Sequence, residues 1–161
     1  MKVQTRDAGE LEIDPETVLQ FPKGIPGFEN CTRFKLFRSE GTQEAETSPL
    51  HFWLQSLDDP AVVFSVAEPS SIGISYQVVL TDEEEKLLEI DPTNVGEDEV
   101  GVLVMLSKTK FPEEVEAPLF NISYNAIRPN FSGPLFLNLK KRLGVQKLLA
   151  QPQFSLLIQG F

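Results

Sequence analysis

The chain has 161 residues, 41% hydrophobic and 24% charged, a length and balance that fit one self-sufficient folded domain and exclude a disordered polymer. Its 24 acidic and 14 basic residues leave a formal charge of −10, which repels nucleic-acid backbones and anionic membranes and attracts a basic protein. A single cysteine, Cys31, excludes an intramolecular disulfide and points to a reducing compartment.

In chain order, the first thirteen residues lack the apolar stretch of a secretory signal, and the longest apolar run, Val102–Leu106, is far too short to span a bilayer. The expected protein is soluble and cytoplasmic. Short β-rich runs then recur at 18–21, 34–37, 51–56, 61–66, 75–80, 100–106, 117–124, 134–139 and 145–149, separated by Pro, Gly, Asp, Asn and Ser clusters. This pattern predicts an all-β fold, a compact single domain of antiparallel strands closed as a barrel or packed as a sandwich, because closure removes unpaired edges.

One segment has helical chemistry. Thr81 is a fitting N-cap with Glu84 as its capping-box partner, Asp82–Glu85 lie at the positive end of the helix dipole, and Asp91-Pro92 is the expected stop. The spacing predicts one short helix near 82–89 with Leu87 and Leu88 facing inward. Residues 107–129, whose APLFNI segment at 117–122 is similar to GPLFLN at 133–138, read as an inserted hairpin, and residues 150–161 as a C-terminal tail that adds an edge strand or supports self-association.

The stretch FPKGIPGFE, Phe21–Glu29, is the most constrained. Pro26 supplies a φ near −65° and Gly27 a positive φ, so Ile25–Phe28 predicts a type II turn. A turn shaped in advance loses little entropy on binding, which makes Phe28 an anchor and Glu29 a polar contact. The competing reading puts Phe21 and Phe28 together in the core at a barrel corner.

Catalytic groups are sparse. His51 stands alone in a strand beside Phe52 and Trp53, and Cys31 has no second cysteine and only that one histidine to activate it. Asp58 and Asp59 precede Pro60 and read as a turn, although with His51 they also motivate a small-molecule-binding or hydrolytic barrel. The acids at 91–99 do not match a calcium loop, and Lys140-Lys141-Arg142 is too isolated to form a nucleic-acid surface. No metal or cofactor is expected, and no enzymatic activity.

Three segments in order, FPKGIPGFE, FWLQSLDDP at 52–60 and NFSGPLFLNLKKRLGVQKLL at 130–149, resemble the flagellar assembly factor FliW family over most of the chain. The residues that match are Gly24, Ile25, Pro26, Gly27, Phe28 and Glu29, then Leu54, Gln55 and Ser56, then Asn130, Gly133, Pro134, Asn138, Gly144 and Gln146. The resemblance implies a non-enzymatic protein that binds flagellin and antagonises the RNA-binding translational regulator CsrA by partner switching; a flagellin-only chaperone is the alternative. The expected partner-binding residues are Ile25, Pro26, Phe28, Glu29, Gln55, Ser56 and Asn138, with Glu83, Glu84, Glu97 and Asp98 as acidic contacts on a monomer.

Overall fold

The computed structural model describes residues 1–38, 51–77, 79–91, 93, 100–108, 127–150 and 154–156. Among them are eleven strands and one α-helix: β1 (Lys2–Thr5), β2 (Gly9–Glu12), β3 (Val18–Gln20), β4 (Arg33–Arg38), β5 (His51–Ser56), β6 (Val63–Ala67), β7 (Ile74–Tyr76), α1 (Asp82–Leu87), β8 (Val100–Lys108), β9 (Ile127–Asn138), β10 (Leu143–Gln146) and β11 (Phe154–Leu156).

Seven strands close into a barrel in the order β10-β3-β4-β5-β6-β8-β9. The period-2 alternation of the strands fills it: Phe34 of β4, Leu54 of β5, Val66 of β6, Leu103 of β8 and Leu135 and Leu137 of β9 turn inward, and Leu36, Phe52, Phe64 and Met105 pack against them. Every neighbouring pair is antiparallel except β10 with β3, which meet in parallel through one register pair, Leu143 with Gln20. A backbone hydrogen bond from Gln20 N–H to the Arg142 carbonyl, 2.8 Å, completes that seam.

Beneath the seam lies Phe21, fully buried, with its ring pressed on Gly144. A Cβ at residue 144 would stand 2.6 Å from Cε2 of that ring, so only glycine lets β10 come this close. The second tight point is in β9, where the register jumps from Leu103–Leu135 to Met105–Asn130 and leaves Phe131–Pro134 bulged opposite Val104. Pro134 has no N–H to lose in the bulge, and its carbonyl accepts from Lys147 N–H at 3.0 Å. Gln146 Nε2 donates to the Gly133 carbonyl at 2.9 Å, over a backbone where a Cβ would collide with it.

The all-β expectation holds, with boundary differences. The run at 61–66 starts as a strand only at Val63, because Pro60 and Ala61 belong to the preceding turn; the run at 75–80 is reduced to Ile74–Tyr76; and the run at 145–149 shifts to Leu143–Gln146, after which Leu148 is exposed. The β1–β2 hairpin was not among the expected strands. Helix α1 has the predicted capping box, but it ends on Leu88 and a left-handed Glu89 (φ 51°), before Asp91-Pro92 is reached. Of the 107–129 segment, Ser107–Lys108 and Ile127–Arg128 pair as the ends of β8 and β9, and 109–126, including the expected strand at 117–124, lie outside the described residues. In the tail, β11 pairs antiparallel with β7.

Replacing Gly144 by alanine forces its methyl group into the Phe21 ring, an overpacking worth about 1–3 kcal/mol or more. The Gly144→Ala variant is expected to unfold at a lower urea midpoint with an unchanged slope, and a double variant with Phe21→Leu should recover part of the loss.

Candidate functional site

The strand directions bring the first two motif segments and the start of the third to one end of the barrel. The β3–β4 connection (21–32), the β5–β6 connection (57–62), and the ends of β8 and β9 from which 109–126 departs all emerge there. The bulge at 131–134 lies toward the same end of β9.

The FPKGIPGFE stretch forms the expected turn: Phe28 N–H donates to the Ile25 carbonyl at 2.6 Å and Gly27 has φ 88°. Gly24 (φ 66°) has room for no side chain, since a Cβ there would lie 2.7 Å from Glu29 Cα. The two phenylalanines that flank the stretch part company. Phe21 enters the core, whereas Phe28 is 41% exposed and rests edge-on against Phe64 at 5.1 Å. Phe64 continues to Phe34 (6.3 Å) and Phe34 to Phe21 (5.2 Å), so a chain of four rings ties the exposed turn to the barrel interior. The Glu29 carboxylate accepts from Gly27 N–H at 3.0 Å; that bond, then one from its own N–H, holds its pKa below the ordinary value.

Ile25 is buried (2%) and supports the turn from below, leaving Pro26, Phe28 and Glu29 as its outward surface. Gln55, Ser56 and Asn138 are buried too, and each of their polar groups serves the backbone. Gln55 Nε2 donates to the carbonyls of Ser56 (2.8 Å) and Pro60 (3.1 Å), and its Oε1 accepts from Arg6 N–H. Ser56 Oγ accepts from the N–H groups of Asp58 and Asp59. Asn138 Nδ2 donates to the Leu88 carbonyl and its Oδ1 accepts from Lys140 and Lys141 N–H. These three residues shape the connections and present nothing outward.

The acids of α1 are largely engaged as well. Glu83 pairs with Lys23 of the Phe21–Glu29 loop at 2.5 Å, which holds the Glu83 pKa down, and Glu84 both caps Thr81 and binds Lys147 at 2.8 Å in a half-buried contact. Glu89 meets Lys141 at 3.4 Å. The helix therefore straps β10 from the loop end, through Lys23 and Lys147, to the opposite turn, through Asn138 and Lys141. Asp82 and Glu85 are in no ion pair among the described residues, and Glu97 and Asp98 lie outside them. Lys23 and Lys147 escaped the sequence reading because a lysine's partner on a distant element leaves no local spacing signal.

Asp58 and Asp59 do not face each other across a cleft. Asp58 accepts from Thr32 and Arg33 N–H (2.8 and 2.9 Å) and from the Arg33 guanidinium (2.7 Å), whereas Asp59 caps Ala61 N–H. The His51 side chain lies outside the described residues, Cys31 is buried in the core, and among the described residues no three His, Cys, Asp or Glu side chains gather as a metal site. No described helix is long and apolar enough to cross a membrane.

This geometry defines a small closed-barrel protein that presents a pre-shaped aromatic turn, braced by an acidic strap, at one end. The FliW protein family matches residues 2–159. Relatives named flagellar assembly factor FliW include one from Chromobacterium violaceum, 36% identical over 147 residues (91% of this chain and 92% of that protein), and one from Azoarcus sp. strain BH72, 36% identical over 149 residues (92% and 91%). A solved structure described as the crystal structure of the flagellar assembly factor FliW superposes with a TM-score of 0.71 at 28% identity, covering 97% of this chain and 94% of that one. The chain belongs to the FliW family.

Two outcomes follow from the ion pairs. At Asp58, burial raises the carboxyl pKa, but the N–H groups of Arg33 and Thr32 and the Arg33 guanidinium outweigh it, and the net shift is downward. A depressed carboxyl contributes stability above its unfolded value, about 3.9, that is lost as pH falls through the folded value. Asp58→Asn should thus melt lower than the parent at pH 7 and lose less melting temperature between about pH 4 and 2, read by circular dichroism. At Lys147, alanine leaves Glu84 half-buried without its cation; amide exchange at Glu85 and Leu88, whose N–H groups bond within α1, should speed by about tenfold or more, equivalent to ~1.4 kcal/mol.

Proposed function

We propose that the protein is a flagellar assembly factor of the cytoplasm that works by binding and not by catalysis: it holds flagellin and, in exchange, antagonises a CsrA-type translational regulator, so that flagellin level feeds back on flagellin translation. The observation that carries the reading is the turn Ile25–Phe28, in which a half-exposed aromatic ring is fixed by its own hydrogen bond and by the ring chain into the core. An anchor held in this way loses little freedom on docking, and aromatic anchors concentrate binding energy. Relatives matched over 91% and 92% of the chain carry the name flagellar assembly factor FliW.

The charge of −10 favours encounter with a basic RNA-binding regulator. Of the acids in α1, Asp82 and Glu85 have the freedom to steer it, because Glu83 and Glu84 hold the strap.

Calorimetry with purified partners tests this. A CsrA-type protein should bind stoichiometrically at low salt, flagellin should displace it, and Phe28→Ala should weaken binding by about tenfold or more while the melting temperature moves little. Reversing Asp82 and Glu85 together should slow association with the regulator by more than the accompanying weakening of the α1 N-terminus, read separately by circular dichroism, accounts for. Binding to flagellin alone would leave the flagellin-only chaperone; binding to neither would overturn the proposal.

A further inference from the structure

A second surface lies on the outer wall of the barrel, away from the turn. The register sets Phe37 of β4 opposite Trp53 of β5, Trp53 opposite Ser65 of β6, and Ser65 opposite Leu106 of β8. Their neighbours Leu36, Leu54, Phe64 and Met105 belong to the core, so this row faces outward across four adjacent strands, about 14 Å at the usual strand spacing. Trp53 is 41% exposed at its middle. Beside the row, Leu11 and Ala8 of the N-terminal hairpin complete a groove of about 230 Å³ with Phe37, Trp53 and Val63. The outward positions of a solvated strand are ordinarily polar, and an aromatic row there marks a contact surface.

The surroundings of the row say what it fits. Lys35, two residues from Phe37, holds its ammonium 5.6 Å from that ring's centroid. It lies partly desolvated and close to the charge of Arg142, effects that lower its pKa despite the opposing influence of Asp14. Among the described residues, neither Lys35 nor Arg142 is within ion-pair distance of a carboxylate. Asp7, at the groove's other rim, is 3.9 Å from Arg6. The strand side of the row therefore offers two cations outside any ion pair, Lys35 and Arg142, on a chain whose total charge is −10.

We infer that this face docks an amphipathic segment of a partner protein, with apolar side chains bracketing Trp53 and carboxylates facing Lys35 and Arg142. A basic segment would be repelled by that pair, and a second copy of this chain would bring another −10 to the contact. The surface is separate from the Phe28 turn.

Selection from a random peptide-display library on the folded protein tests the inference, because Trp53 is the sole tryptophan and reports from the site itself. The selected peptides should combine apolar residues with Asp and Glu, and one made synthetically should shift Trp53 emission to shorter wavelength in a saturable titration. Trp53→Ser and Lys35→Glu should each weaken that labelled peptide by about fivefold to tenfold or more, measured by anisotropy, with Phe28→Ala as an unaffected control. If Trp53→Ser disturbs the fold, as judged by circular dichroism, Lys35→Glu alone decides. Enrichment of Lys and Arg, failure to recover a peptide that moves Trp53 emission, indifference to Lys35→Glu, or self-association that itself moves the emission would overturn it.

Discussion

The barrel depends on how closely β10 can approach β3. One register pair and one flanking hydrogen bond hold this parallel seam, where every other junction in the barrel is antiparallel. What compensates is the contact beneath it, the Phe21 ring against the bare Cα of Gly144. That contact also fixes where the chain leaves the barrel at Phe21, and the loop that follows inherits its position. The turn at Ile25–Phe28, the strap that reaches it through Lys23, and the ring chain from Phe21 to Phe28 are consequences of a seam closed by one aromatic face and one glycine.

Three buried polar residues have a common role in this architecture. Gln55, Ser56 and Asn138 are each placed where a strand gives way to a turn, and each satisfies backbone groups that the turn would leave unpaired. An unpaired buried amide costs about 1–3 kcal/mol, comparable to a sizeable share of a domain's net stability. The outward chemistry is carried by fewer groups: a proline, a phenylalanine and a glutamate at the tip, and the acids of α1 that are not tied to lysines.

Local chemistry was the legible part of the sequence. The capping box of Thr81 and Glu84, the Pro26-Gly27 turn and the Asp-Asp-Pro turn depend on residues within three or four positions of each other, and all three form as read. Misplaced features have non-local causes. The β1–β2 hairpin is short and polar, with little alternation to announce it; α1 ends where Asn138, fifty residues away, takes the Leu88 carbonyl. The burial of Ile25 against the exposure of Phe28 was undecidable from a run in which both are apolar. It is settled by Phe64, a residue from another strand. The acids at 83 and 84 read as a free surface because their lysines lie sixty or more positions away.

The strap has a bearing on how ionic strength acts on this molecule. Mobile ions screen the long-range pull of the acidic surface, and they also weaken the exposed Lys23–Glu83 and Lys141–Glu89 clips far more than the sheltered Lys147–Glu84 contact. Added salt would therefore slacken the two exposed clips, while the Lys147–Glu84 contact and the buried Asn138–Leu88 hydrogen bond keep the helix moored. A logarithmic slope of affinity against salt concentration then mixes counterion effects between two proteins with a rearrangement inside one of them, and overstates the number of charges that meet across the interface.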